Sequence, residues 1–224
     1  MRVKTDEKRQ EIMAIARQVF REKGYAETSM AEISARLGGS KSTPYSYFPS
    51  KEELFVAVML DIAARNAGAV LDELERADDM RTGLAPIVEK LMDQLCSPEM
   101  IDFRRMLIAE AGRSDLGKRV HEQGLALYFK RLAEMLAAQM RAGQLREADP
   151  MQAAMHMIGL CMGPPVQLML EGAIERPSDP EFAAAAAAAA DVFLRAYALE
   201  PVIARKARPA ARRGPRRPTQ RRAR

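Results

Sequence analysis

Tryptophan is absent, and 224 residues contain only two cysteines and two histidines. Cys96 and Cys161 cannot form a disulfide framework, so the chain is not a stapled secreted scaffold and suits a reducing, cytoplasmic setting. His121 and His156 lie far apart, and His156 and Cys161, five positions apart, share a helix face poorly, so no metal is expected. No glycine-rich phosphate loop or nucleophile elbow occurs, which argues against an enzyme and against a bound cofactor. Long apolar runs are also missing. The longest, Phe182 to Ala190, is too short to span a bilayer, and the N-terminus is charged through Arg9 with no apolar stretch of the secretory type, so no membrane partner is expected. Sustained β-type alternation appears nowhere, which makes the fold class all-α.

What is present divides by charge. Of 35 basic residues, ten lie in 205–224 without one acid, which leaves 25 basic against 30 acidic residues in the preceding part. Residues 1–52 are mildly basic, with ten basic and seven acidic side chains. The stretch from Thr28 to Lys51 supplies the organisation. Ser29 and Glu32 form a capping-box pattern, Ile33 and Leu37 share a helical face, and Gly38 and Gly39 break the helix. A second short helix follows at once, rich in donors: Lys41, Ser42, Thr43, Tyr45 and Tyr47. Phe48 and Pro49 close it, and Ser50 to Glu53 form a second capping box that launches a long apolar helix. Helix, tight turn and helix is the arrangement that lays a recognition helix in the DNA major groove.

Four segments in order, Phe20-Gly24-Tyr25, Thr28 to Ile33, Ser40 to Phe48 and Lys51 to Phe55, resemble the N-terminal domain of the TetR family of transcriptional regulators. A looser likeness, in Arg104 to Val120, Gly143 to Leu145, Asp149 to Ala154 and Phe193 to Tyr197, is to the regulatory domain of AefR-type and AcrR-type repressors. The resemblance implies a homodimer, joined through its last two helices, that binds a palindromic double-stranded DNA operator and is released by a small-molecule effector. Thr28, Ser29, Tyr45, Tyr47 and Lys51 are the expected phosphate contacts, and Lys41, Ser42 and Thr43 the expected base readers. Two residues depart from the family pattern: Pro44 stands where leucine is usual and Ser42 where glycine often stands. In a helix starting at Lys41, Pro44 would lack a needed N–H and push Thr43 out of the α region, so the helix is expected to be distorted or to start at Thr43.

Three domains are expected: a helix-turn-helix unit over 1–52, a helical regulatory and dimerisation domain over 53–200, and a disordered basic tail over 201–224. Helix 1 should run over 6–23 and end at Gly24 as a left-handed cap, and helix 4 should start at Lys51 and continue towards Leu74. Later helices are expected at about 84–96, 99–112, 116–143, 150–171 with a break at Gly163-Pro164-Pro165, and 180–199. Met59, Ile62, Met92, Leu95, Cys96, Phe103, Met106, Phe129 and Met162 could line an adaptable apolar pocket or could simply be core. Glu110 beside such a pocket would favour a cationic ligand, with a salt bridge to Arg104, Arg105 or Arg113 as the competing reading. The tail could raise DNA affinity by counterion release, and an architectural DNA-binding protein with little sequence preference is the alternative function.

Overall fold

The computed structural model describes residues 5–38 and 40–199, all in helices and short connections apart from two isolated bridge pairs. The basic tail, with everything expected of it, lies outside the described residues. Each early helix starts where a side-chain oxygen meets free amides. Thr5 accepts from Lys8 to open α1 (Asp6–Glu27), and Ser29 accepts from Glu32 to open α2 (Met30–Leu37). Ser50 accepts from Glu53 to open α4 (Lys51–Glu75), whose C-terminal carbonyls of Leu74 and Glu75 receive the buried Gln139 amide. By length and composition α4 could cross a bilayer, but Leu54, Phe55, Val58, Ile62 and Leu71 are all buried inside the protein.

Between α2 and α4 lies α3 (Thr43–Tyr47). The helix starts at Thr43, as Pro44 requires: the Thr43 amide bonds the Ser40 carbonyl, and Pro44, within the first turn, has no amide bond to miss. Its ring is buried, so proline fills the apolar role that leucine has in the family pattern. Gly24 and Gly38 have φ of 77° and 71° with ψ of 172° and 168°. Neither is the left-handed helical cap expected at Gly24, and this region of backbone space is essentially restricted to glycine. At Gly24 the chain kinks and adds a last turn to Glu27.

The C-terminal half comprises α5 (Met80–Leu95), α6 (Pro98–Ala109), α7 (Leu116–Val120), a π segment (His121–Leu125), α8 (Ala126–Arg141), α9 (Pro150–Cys161), α10 (Pro164–Glu171) and α11 (Asp179–Tyr197). Three expectations shift. The single helix over 116–143 contains the π turn, where a Cβ on Gly124 would fall 2.0 Å from Leu60 Cδ2, so glycine permits the close pass over α4. The helix expected from 84 begins at Met80, capped by Asp79. The last helix starts at Asp179, one residue earlier than expected, with Ser178 as its cap in a reciprocal box with Glu181. The break expected at Gly163-Pro164-Pro165 is present and makes two helices, bent by 57°.

Two apolar cores result. One packs α5, α8, α9, α10 and α11 against the end of α4. The other joins α1, α2 and the start of α4 to Met100 and Phe103 of α6 and Leu116 and Val120 of α7. Replacing Gly24 by alanine meets open space but a forbidden backbone shape, and should lower stability by about 1–3 kcal/mol. Urea unfolding measures this, and an unchanged midpoint would contradict the assignment.

Candidate nucleic-acid interface and regulatory core

The residues expected to touch DNA separate into an outward face and a set of internal fastenings. Lys41, Ser42 and Tyr45 are exposed, Tyr45 by 49%. Ser46, which was not among the expected contacts, is exposed beside them, one turn along from Ser42; that helical spacing is the signal for it. Thr43 is half-buried. Inside, Thr28 is 2% exposed and its hydroxyl donates to the Gly24 carbonyl at 2.7 Å. Ser29 is spent on the α2 cap, where its hydroxyl accepts from the Glu32 amide at 3.3 Å.

Lys51 resembles Thr28 in this respect. Its ammonium donates to the Tyr25 carbonyl at 2.8 Å and stands 4.2 Å from the Tyr25 ring centroid, closing the end of α1. Tyr47 accepts from the Thr5 amide at 3.1 Å and so docks the end of α3 on the start of α1. Ser34 donates to the Lys41 carbonyl at 3.0 Å and fixes the turn between α2 and α3. The five-residue recognition helix is thus held at both ends, by Ser34 through the turn before it and by Tyr47 at its last residue.

Behind this reader, four aromatic rings interlock. Phe20 and Tyr25 of α1 meet Phe55 of α4, with Phe20 and Phe55 edge to face at 5.2 Å. Phe103 of α6 completes the group, 5.4 Å from Phe55 and 6.2 Å from Phe20, and is fully buried. Around the rings runs an ionic seam between the same helices: Arg17 to Asp61 at 2.7 Å and Glu99 at 3.1 Å, Arg65 to Asp61 at 2.6 Å, and Arg21 to Asp102 at 3.0 Å. From α7, Arg119 reaches Glu53 at 2.7 Å. An open cleft of about 410 Å³ lies beside the seam, lined by Arg9, Met13, Tyr47, Glu53, Leu60 and Gln123 among others.

The residues expected to line a ligand pocket fall on both sides of α6. Met59, Ile62, Phe103 and Met106 belong to the core behind the reader, whereas Met92, Leu95, Cys96, Phe129 and Met162 belong to the C-terminal core. Glu110 follows the last turn of α6 as its C-cap residue, and its charge adds a small part to the rise in the Tyr25 pKa that burial and Glu52 cause. Both cysteines are fully buried. Burial pushes the Cys161 thiol up to about 12 and raises that of Cys96 as well. His156 is hydrogen-bonded to Tyr197 at 2.6 Å and Gln152 at 2.8 Å, and His121 is exposed in the π segment.

A helix-turn-helix reader continuous with a helical regulatory domain defines a transcriptional regulator. Residues 12–58 match the model for bacterial regulatory proteins of the tetR family, and residues 82–199 match the C-terminal domain of the AefR-like transcriptional repressors. The second match covers more than half of the chain, and the protein belongs to the TetR family. A TetR-family transcriptional regulator of Mesorhizobium loti has a solved structure with a TM-score of 0.79, 31% identity, and coverage of 88% of this chain and 100% of that one. The Flavonoid-responsive Regulator FrrA superposes with a TM-score of 0.64 and 27% identity over 88% of this chain and 100% of its own. The transcriptional activator FasR of Mycolicibacterium smegmatis is 35% identical over 92 residues, 41% of this chain and 42% of that protein, so the alignment spans less than half of its length. These relatives are transcriptional regulators and not enzymes.

Because both thiols are buried and their raised pKa values deplete the reactive thiolate, neither should react with Ellman's reagent at about pH 8 in the native protein, and both should react in denaturant. Stoichiometric modification before unfolding would contradict this.

Proposed function

We propose that the protein is a ligand-responsive repressor that binds a palindromic operator as a homodimer and is released by a small, largely apolar effector. The observation that carries the reading is Phe103: it sits on a helix of the regulatory half, yet its ring is part of the core that positions the reader. Any effector that shifts α6 must repack that ring, and a close-packed core has few alternative arrangements. Binding would favour a state in which the two recognition helices no longer match successive major grooves, with a coupling of about 1–3 kcal/mol. FrrA's description as flavonoid-responsive and the AefR-like repressor match support an effector and a repressor; FasR, an activator, keeps the opposite sign open to test.

Lys41, Ser42, Tyr45 and Ser46 form the DNA-facing surface in this reading, with Thr43 at its edge. Thr28, Tyr47 and Lys51 position that surface from within. For the dimer, α9 exposes Met151, Met155 and Gly159, and α11 exposes Ala184, Ala188 and Val192, each set spaced by four. Met155 and Val192 are 54% and 50% exposed, a pair of apolar stripes suited to a two-fold helical interface. The domain division at about residue 52 then separates DNA contacts from regulation, although the core crosses it.

Selection of genomic fragments by the full chain and by a chain ending at Ala204 tests the reading. One palindrome enriched by both supports it; binding only by the full chain, with no sequence enriched, favours the architectural alternative carried by the basic tail. Lys41→Ala should reduce the slope of log affinity against log salt by about one charge. Phe103→Ala should cost about 3–5 kcal/mol of stability, and Phe103→Leu should keep the fold while weakening the effector's influence on operator affinity. Full retention of that influence would contradict the role given to Phe103.

A further inference from the structure

Arg104 follows Phe103 on α6 and points towards the C-terminal core. Its Nη1 lies 2.9 Å from the Met162 sulfur, a weak acceptor, and among the described residues no carboxylate comes within ion-pair distance of it. Other arginines of this half are engaged: Arg105 donates to the carbonyls of Met169 and Leu170, Arg176 pairs with Asp93 at 2.7 Å, and Arg131 pairs with Asp72 at 3.2 Å. Arginine does not discharge itself by losing its proton in a protein, so a guanidinium in this position calls for an anion from elsewhere. Burial presses its pKa down, and the nearby Cys96 thiol acts in the opposite direction.

A second polar group is left unanswered in the same core. The Tyr128 hydroxyl on α8 is buried with no hydrogen-bond partner among the described residues, close enough to Cys161 for the two to influence one another. Cys161 ends α9 and Met162 follows it out of the helix, so one short turn joins the neighbourhoods of Tyr128 and Arg104. The break at Gly163-Pro164 is what frees Met162 to reach Arg104, and its flexible thioether is easily displaced.

We infer that the C-terminal core takes an organic monoanion, a carboxylate on an apolar body, with the Arg104 guanidinium holding the head group in place of the Met162 sulfur and the Tyr128 hydroxyl offering a polar contact further along. One free guanidinium matches one charge, and its planar fork fits a carboxylate with two hydrogen bonds. Cys96, Met92, Phe129 and Met162 supply apolar wall for the body. The charge of such an effector is opposite to that of the cation Glu110 would favour beside a pocket. The inference rests on the regulator reading and deepens it by giving the effector its sign.

The test uses the full chain and three probes of equal tail length: decanoate, decanol and decyltrimethylammonium. Calorimetric titration should show decanoate binding about tenfold or more tightly than decanol, the value of one charge-assisted contact, with the cation weakest. Arg104→Gln should abolish the preference for the acid over the alcohol, and Arg104→Lys should restore part of it. Because it removes a charge that has no carboxylate partner, Arg104→Gln should not lower the melting temperature of the ligand-free protein; a large drop would assign Arg104 a structural role and overturn the inference. So would equal binding of acid and alcohol, tightest binding of the cation, no binding of decanoate, or an acid preference that survives in Arg104→Gln. Fragment selection on the same preparations separates the two readings. Release of an enriched palindrome by decanol as readily as by decanoate overturns the anion site and leaves the regulator standing, whereas decanoate binding through Arg104 with no palindrome enriched upholds the site and removes the regulator.

Discussion

The ring of Phe103 stands between helices that would otherwise form a separate small domain, and the arrangement of both halves depends on that contact. Three helices bury little apolar surface by themselves when two of them are short, and α3 has only five residues. The reader gains its stability by borrowing Phe103 and Met100 from α6 and Leu116 and Val120 from α7. The same borrowing removes the possibility of a loosely tethered reader. Recognition helix, α4 and α6 form one packed body, and a displacement of α6 cannot leave the reader unaffected.

Electrostatics follow the same division. Asp61 and Glu99 gather Arg17 and Arg65 into a partly exposed seam around the rings, where each pair is worth little but the set fixes the angle between α1, α4 and α6. One position further along α6 than Phe103, Arg104 turns to the other core and has no such partner. Two adjacent residues of one helix thus face two different environments, about 100° apart around its axis. In the proposed reading, that adjacency links an effector's head group to the aromatic cluster behind the reader.

Much of the fold was legible in the sequence because caps, breaks and apolar spacing are local signals. Ser29, Ser50 and Asp149 cap as their patterns suggest, and Pro44 moves the start of α3 to Thr43 because a missing N–H acts on its own turn. What escaped depends on contacts across the chain. The π segment near Gly124 answers the approach of Leu60, far away in sequence. Thr28 and Lys51 have the chemistry of phosphate contacts, but only the folded chain shows their polar atoms turned to the carbonyls at the end of α1. Methionines and aromatics signalled burial correctly without revealing which of two cores each would join, and no pattern in the sequence distinguishes Arg104 from the paired arginines around it.

Native-state hydrogen exchange at rising denaturant measures most directly whether reader and regulatory helix form one body. Amides of α1, the first half of α4, and α6 around Phe103 should open in a single transition with a common free energy and a common denaturant slope. Opening of α1 to α3 at lower free energy, while α6 stays protected, would contradict the account and return the reader to the status of an independent domain.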